Sequence, residues 1–396
     1  MKRVVILYEG AAEGPLEGLD GRTPLQTARA QHCSILAEAG VTGLLRPPFE
    51  DLPWRTETLL GALCGLHRDD ACRLRRGPVE AAALDVDMSE GGTWYRGTFV
   101  TVDEGVVREE EVAGLGLEET RALCETMAEA GCGEGLSLYV LGPGALSVHV
   151  PHAGADWPEG VPPRLARGRP LSELLPGPDE ATGYGACLAS TLPALAGHAV
   201  NEVRVDLGEN PANALWLWGG GTAEALGPLR AQSRPEGLVL SRGRTARAVA
   251  NLTGMGYLEH QDPFADEPES RALPVVPLVE ALRGRDLILV HVPSPHEMGG
   301  YGDATRKVRA LDRLDMNLLA PLKTVLDAYR PYRLALLPDG AVSSDTGLPL
   351  ADALPVLLAG EGIEPDEVDR WDEPACAGGG LGSMDIEHFS QILWDA

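Results

Sequence analysis

The chain has 396 residues, 44% of them hydrophobic and 5% aromatic, which is enough for one large α/β domain and a smaller one. A formal net charge of −26 argues against nucleic acid as a partner, because phosphate binding draws on clustered Lys and Arg. Seven cysteines are scattered without a CxxC pair, the pattern of reduced thiols in a cytoplasmic protein.

The opening MKRVVILYEG has an apolar run that ends after a few residues at Glu9 and Gly10, too short for a signal peptide or a membrane span. Val4 to Leu7 instead carry the pattern of a strand buried on both faces of a mainly parallel sheet. Glu9 then stands at the carboxyl end of that strand, the edge where open α/β sheets gather their ligands. Thr23 is placed to N-cap a helix with Pro24 at its first position; Leu25, Ala28, Ile35, Leu36 and Ala39 form its apolar face and Gly40 ends it.

Further along, a short helix is expected from Pro78, a strand from Tyr95 to Val102 and a helix from Glu118 to Ala130. From about Ala113 to Gly221 the chain turns Pro- and Gly-rich, with a helix over Gly185 to Leu195 and a closing strand at Ala214 to Trp218. The expected organisation is therefore a discontinuous core, 1–112 with 222–396, and an inserted α+β domain, 113–221. In the second part of the core, Asp286 to Val292 forms a buried strand that delivers His296. A helix over Ala304 to Ala328, a strand at Arg333 to Leu337 that delivers Asp339, and a strand at Ala353 to Gly360 follow. Glu9, His296 and Asp339 thus emerge at strand ends, as a metal or phosphate site requires, although polar residues stand at strand ends in any α/β protein.

Four blocks carry a resemblance: EGAAEGPLEGLDGRTPLQTA near the start, RRGPVEAAALDVDM followed by WYRGTFVTVDEG, NPANALWLWGGG, and VDRWDEPACAGGGLGSM near the end. They are similar to the archaeal-type, cofactor-independent phosphoglycerate mutases of the alkaline phosphatase superfamily. The resemblance implies an alkaline-phosphatase-like core with a mainly parallel central sheet and helices on both faces, plus the smaller insert. It also implies a two-metal phosphoryl transfer, in which a serine takes a phosphoryl group from one hydroxyl of a glycerate and returns it to the other.

Carried over residue by residue, the resemblance puts Glu9 in the place of a metal-binding aspartate and Thr56 in the place of the serine. A threonine in WRTET also suits an ordinary N-cap. His296 falls where the family has an aspartate ligand, Gly300 and Gly340 where it has histidines, and Asp339 on a ligand position. A last histidine belongs near Leu350, and this chain has none between His296 and His388. Glu9, Asp339 and Thr56 would hold one ion, magnesium or manganese, and the second would keep only His296. Glu297, Asp303 and Asp345 either compensate or are solvated loop acids.

Arg76 and Arg96 would bind the substrate anion, with Asp156 a weak echo of a family motif in the insert. Arg164, Arg167 and Arg169 either attract a phosphorylated ligand or cover a surface loop. Two functions follow from the resemblance. With several ligands replaced, the chain is a phosphoglycerate mutase-like protein retained for binding or regulation; the alternative is an active phosphoryl-transfer enzyme with a rearranged, one-metal site at Thr56. Its small-molecule partner would be a phosphorylated carboxylic acid.

Overall fold

The computed structural model describes residues 1–48, 54–84, 86–129, 136–151, 153, 158–174, 192–227, 236–259, 275–295 and 302–394. The chain forms two compact units, Met1–Arg73 with Leu229–Ala396, and Leu74–Pro228. Among the described residues no helix is long and apolar enough to cross a membrane.

The first unit is built on strands β1 (Lys2–Tyr8) and β2 (Gly40–Leu45) from the start of the chain. The second unit contributes β3 (Thr93–Asp103), β4 (Val106–Glu109), β5 (Ser137–Gly142), β6 (Ala145–Val150) and β7 (Ala214–Gly221). The chain then returns to the first unit with β8 (Gly237–Ser241), β9 (Gly256–Glu259), β10 (Leu287–Val292) and β11 (Tyr332–Pro338). A short pair, β12 (Ala341–Val342) and β13 (Pro349–Leu350), precedes β14 (Leu354–Gly360) and β15 (Gly382–Met384).

The central sheet runs β15-β2-β14-β11-β1-β10-β8-β9, with β14 antiparallel to both its neighbours and every other pair parallel. Val4, Val5, Ile6 and Leu7 are all fully buried, so successive side chains, which point to opposite faces, are covered alike. Each such side chain contributes about 1.5–3 kcal/mol, which fixes β1 as the centre of the sheet and its carboxyl end as a rigid platform. The mixed α/β architecture with a mainly parallel sheet is the one expected from the sequence.

Three expectations change. The helix expected between Thr23 and Gly40 is two helices, α1 (Pro24–Thr27) and α2 (Gln31–Glu38), broken at Ala30, whose φ is 29°. Thr23 does cap α1, in a capping box with Gln26. The second helix is capped instead by the buried Asp315, which accepts from the His32 and Cys33 amides at 3.0 and 2.8 Å. That break rotates Ile35 and Ala39 into solvent, and Gly40 becomes the first residue of β2 rather than a helix end.

The helix over 304–328 does form as Ala304–Leu314 and Ala320–Asp327, joined by a π-helical turn at Asp315–Leu319. That turn carries the Asp315 carboxylate. The third change is the start of the second unit, at Leu74 rather than 113. The reason is pairing: β3 lies between β6 and β7 in one antiparallel sheet, so the segment before 113 folds with the insert. Of the helix expected over 185–195, residues 192–196 are helical and the earlier part lies outside the described residues.

Candidate metal centre

The site lies at the carboxyl ends of β8, β10, β1 and β11, and strand register assembles it. Leu7 is paired with His291, and Tyr8 with both Val292 and Pro338, so Glu9 and Asp339 leave the sheet on either side of β1 at the level of His291. Leu240 is paired with Val290, which brings Ser241 beside His291. Gly10, with φ 59°, turns the chain sharply enough for its amide to donate to Asp339 Oδ1 at 2.9 Å. The Glu9 amide donates to the Val292 carbonyl at 2.9 Å, which anchors the turn on β10.

Around this turn the side chains converge. His291 Nε2 is 3.1 Å from Asp339 Oδ2 and 3.5 Å from Glu9 Oε2. The side chains of His291 and Asp339 are each 3% exposed, whereas Glu9, at 25%, opens the site to solvent. The candidate ligand atoms of Glu9, His291 and Asp339 all lie within 4.8 Å of one another.

Thr56 is the first residue of α3 (Thr56–Leu63), and its hydroxyl donates to Asp339 Oδ2 at 3.0 Å. Two carboxylates facing one ring nitrogen gather negative charge in a mostly buried place, which favours a cation between them. Two oxygen donors and one imidazole, with an open side at Glu9, suit a single divalent ion such as manganese or magnesium.

Glu9, Asp339 and Thr56, singled out from the sequence, come together here. His296, Glu297 and Gly300 lie outside the described residues, and so does Asp156. The imidazole that faces the two carboxylates is His291, which in the sequence is one more residue of the buried strand expected over Asp286 to Val292. The available signal was a histidine in an apolar strand next to its carboxyl end, where burial of a polar ring calls for a partner on each side.

Asp303 caps the helix that follows it, accepting from the Thr305 and Arg306 amides at 2.9 and 3.2 Å. Asp345 is exposed in a turn. At Gly340, beside Asp339, an added Cβ would meet only the Trp54 Cβ, at 3.9 Å.

Arg76 and Arg96 belong to the second unit and turn towards Glu80. Arg96 Nη1 lies 2.6 Å from Glu80 Oε2, and Arg76 Nη1 lies 3.8 Å from Oε1. The Arg76 guanidinium also sits over the Trp218 ring, 5.4 Å from its centroid. Arg167 and Arg169, half exposed, pair with Glu110 at 3.4 Å and Glu173 at 3.9 Å, as a surface loop would.

Residues 37–201 match the family described as 2,3-bisphosphoglycerate-independent phosphoglycerate mutase. A protein of that name from Methanosarcina barkeri is 29% identical, with 99% of each chain covered. Another from Methanothrix thermoacetophila is 28% identical, again over 99% of each. Along nearly its whole length the chain is similar to the cofactor-independent phosphoglycerate mutases. Solved structures share the fold. The PH0037 protein from Pyrococcus horikoshii aligns with a TM-score of 0.70 and 20% identity, over 100% of this chain and 96% of that one. The cofactor-independent phosphoglycerate mutase of Thermoplasma acidophilum aligns with a TM-score of 0.54 and 22% identity, over 99% of each. That family is metal-dependent, and Glu9, His291 and Asp339 form the candidate metal group of this chain.

Proposed function

We propose that the chain is an active, metal-dependent phosphoryl-transfer enzyme that interconverts 2- and 3-phosphoglycerate, with Thr56 as the phosphoryl acceptor and one divalent ion held by Glu9, His291 and Asp339. The observation that supports it is the meeting of the Thr56 hydroxyl with Asp339 Oδ2, at 3.0 Å, on the edge of a three-donor cluster. A chain kept only for binding has no need of an acceptor hydroxyl held against an acidic cluster.

When bound, the ion supplies positive charge against the phosphoryl oxygens and lowers the cost of forming an alkoxide. The residues do the rest. The Thr56 proton is directed at Asp339 Oδ2, so it has an acceptor as Oγ1 forms its bond to phosphorus and the bond from phosphorus to the glycerate oxygen breaks. The displaced glycerate oxygen takes up a proton. Attack by the other glycerate hydroxyl on the phosphothreonine then reverses the transfer and restores the Thr56 hydroxyl. The Gly10 amide at Asp339 Oδ1 holds the carboxylate with its other oxygen towards Thr56 and His291.

The test is an interconversion assay with 3-phosphoglycerate and manganese or magnesium, run on the wild type and on Thr56→Ala. Metal-dependent formation of 2-phosphoglycerate that disappears in Thr56→Ala is expected. Absence of turnover in wild-type protein that binds the ion and the substrate would instead leave a binding or regulatory protein.

A further inference from the structure

The inner side of His291 is as specifically built as the side that faces the carboxylates. Ser241, the last residue of β8, is fully buried, and its Oγ lies 3.1 Å from His291 Nδ1. The Gly243 amide donates to the same Oγ at 2.9 Å. A Cβ at Gly243 would stand 3.3 Å from Ser241 Oγ and 3.6 Å from His291 Nδ1, so a glycine lets the turn after β8 close over both groups. The ring is thus held between a hydroxyl on one edge and two carboxylates on the other.

The proton on the ring must change places when a cation arrives. Without a cation, Nε2 of a neutral ring faces Asp339 and Glu9 oxygens that accept, so it carries the ring proton and Nδ1 accepts from the Ser241 hydroxyl. With a cation at Nε2, that nitrogen offers its lone pair and the neutral ring carries its proton on Nδ1. Ser241 Oγ must then accept it. One lone pair of Oγ takes the Gly243 N–H and the other is free for Nδ1–H, while rotation about Cβ–Oγ swings the serine proton off the ring. A neutral ring holds one proton in both states, and no backbone has to move.

We propose that Ser241 is a positioning residue for the metal centre: its hydroxyl reverses from donor to acceptor and so lets His291 turn Nε2 from a proton donor into a ligand. The inference rests on the reading of His291 as the imidazole ligand. Groups that orient a metal-binding histidine through its second nitrogen are typically worth about 10–100-fold in metal affinity.

The test uses the full chain with 15N-labelled histidine rings, His291→Ala identifying the resonance among the nine histidines. Two-bond nitrogen–proton correlations should show the Nε2–H form without metal and the Nδ1–H form after addition of diamagnetic magnesium or zinc. In calorimetric titration with manganese, Ser241→Ala should weaken binding by about 10–100-fold and Ser241→Thr should recover most of it. In assays, kcat of Ser241→Ala should recover at high manganese with an unchanged KM for phosphoglycerate, which a general packing defect would not produce.

A ring proton that stays on the same nitrogen with and without metal, or wild-type manganese affinity in folded Ser241→Ala, overturns the proposal. If His291→Ala also binds manganese as the wild type does, the ligand reading itself fails. If His291→Ala loses the ion while Ser241→Ala keeps it, only the role of Ser241 falls. Should Ser241→Ala not fold, the wild-type nitrogen–proton correlations alone decide.

Discussion

Two buried acidic clusters lie within a few residues of each other on the segment after β1, and they are built differently. At Glu13, the charge has a cation beside it and both carboxylate oxygens accept hydrogen bonds. Lys307, fully buried, donates to Glu13 Oε1 and to the Val342 carbonyl, both at 2.8 Å, and Ser344 donates its hydroxyl to Oε1 and its amide to Oε2 at 2.7 Å. Burial drives the Lys307 pKa down and the Glu13 carboxylate acts against that shift. At Glu9, by contrast, two carboxylates share one histidine nitrogen. The first cluster is complete without a ligand and ties the turn bearing Glu9 to the segment after Asp339; the second is the candidate metal group. A carboxylate with its own ammonium is structure, and carboxylates that share one imidazole edge are a candidate site.

The strongest way to break this contrast is Asp339→Asn, which removes both a candidate ligand and the partner of the Thr56 hydroxyl. It should lower kcat by on the order of 10³-fold or more in the interconversion assay, with little change in thermal unfolding of the metal-free protein. Lys307→Met should do the reverse. It leaves Glu13 buried without its cation and should cost about 3–5 kcal/mol in urea unfolding, while manganese stoichiometry stays the same in protein that remains folded.

A third change sharpens the contrast by adding a donor. Gly340 has no positive φ and only the Trp54 Cβ in ordinary contact with an added Cβ, so Gly340→His should fold. It should tighten manganese binding on the order of tenfold, or about 1.4 kcal/mol, by calorimetry. Unchanged affinity would mean that an imidazole at 340 does not reach the ion.

The smallest expected effect lies at Glu373, which accepts from the Thr23 hydroxyl at 2.6 Å and from the Glu13 amide at 3.2 Å. Burial pushes its pKa from 4.5 up to about 7, against the opposing effect of the Thr23 hydrogen bond. A carboxyl group whose folded pKa is raised binds its proton more tightly in the native state. Its contribution to stability is therefore full below about 4.5 and is lost as pH rises through about 7. Glu373→Gln should flatten that decline, seen as a smaller difference between urea midpoints at about pH 5 and about pH 8.

What could be read from the sequence was what local pattern encodes. The apolar run before Glu9, the strand before Asp339 and the helix beginning at Ala304 declare themselves through periodicity and caps. The break between α1 and α2 does not, because it depends on Asp315, a residue 283 positions from His32. His291 was hidden for a related reason. Within LILVHV it is a polar exception in a strand, and only pairing with β1 puts it between Glu9 and Asp339. Likewise the change of composition near 113 was visible, whereas the membership of β3 in the second unit is written in its pairing with β7, more than 100 residues away.

The most direct test of a single-ion centre is the metal content of the full chain, by elemental analysis and manganese calorimetry, compared with His291→Ala. One equivalent per chain that is lost or strongly weakened in His291→Ala is the predicted result. Two equivalents, or one held undiminished without His291, would contradict it.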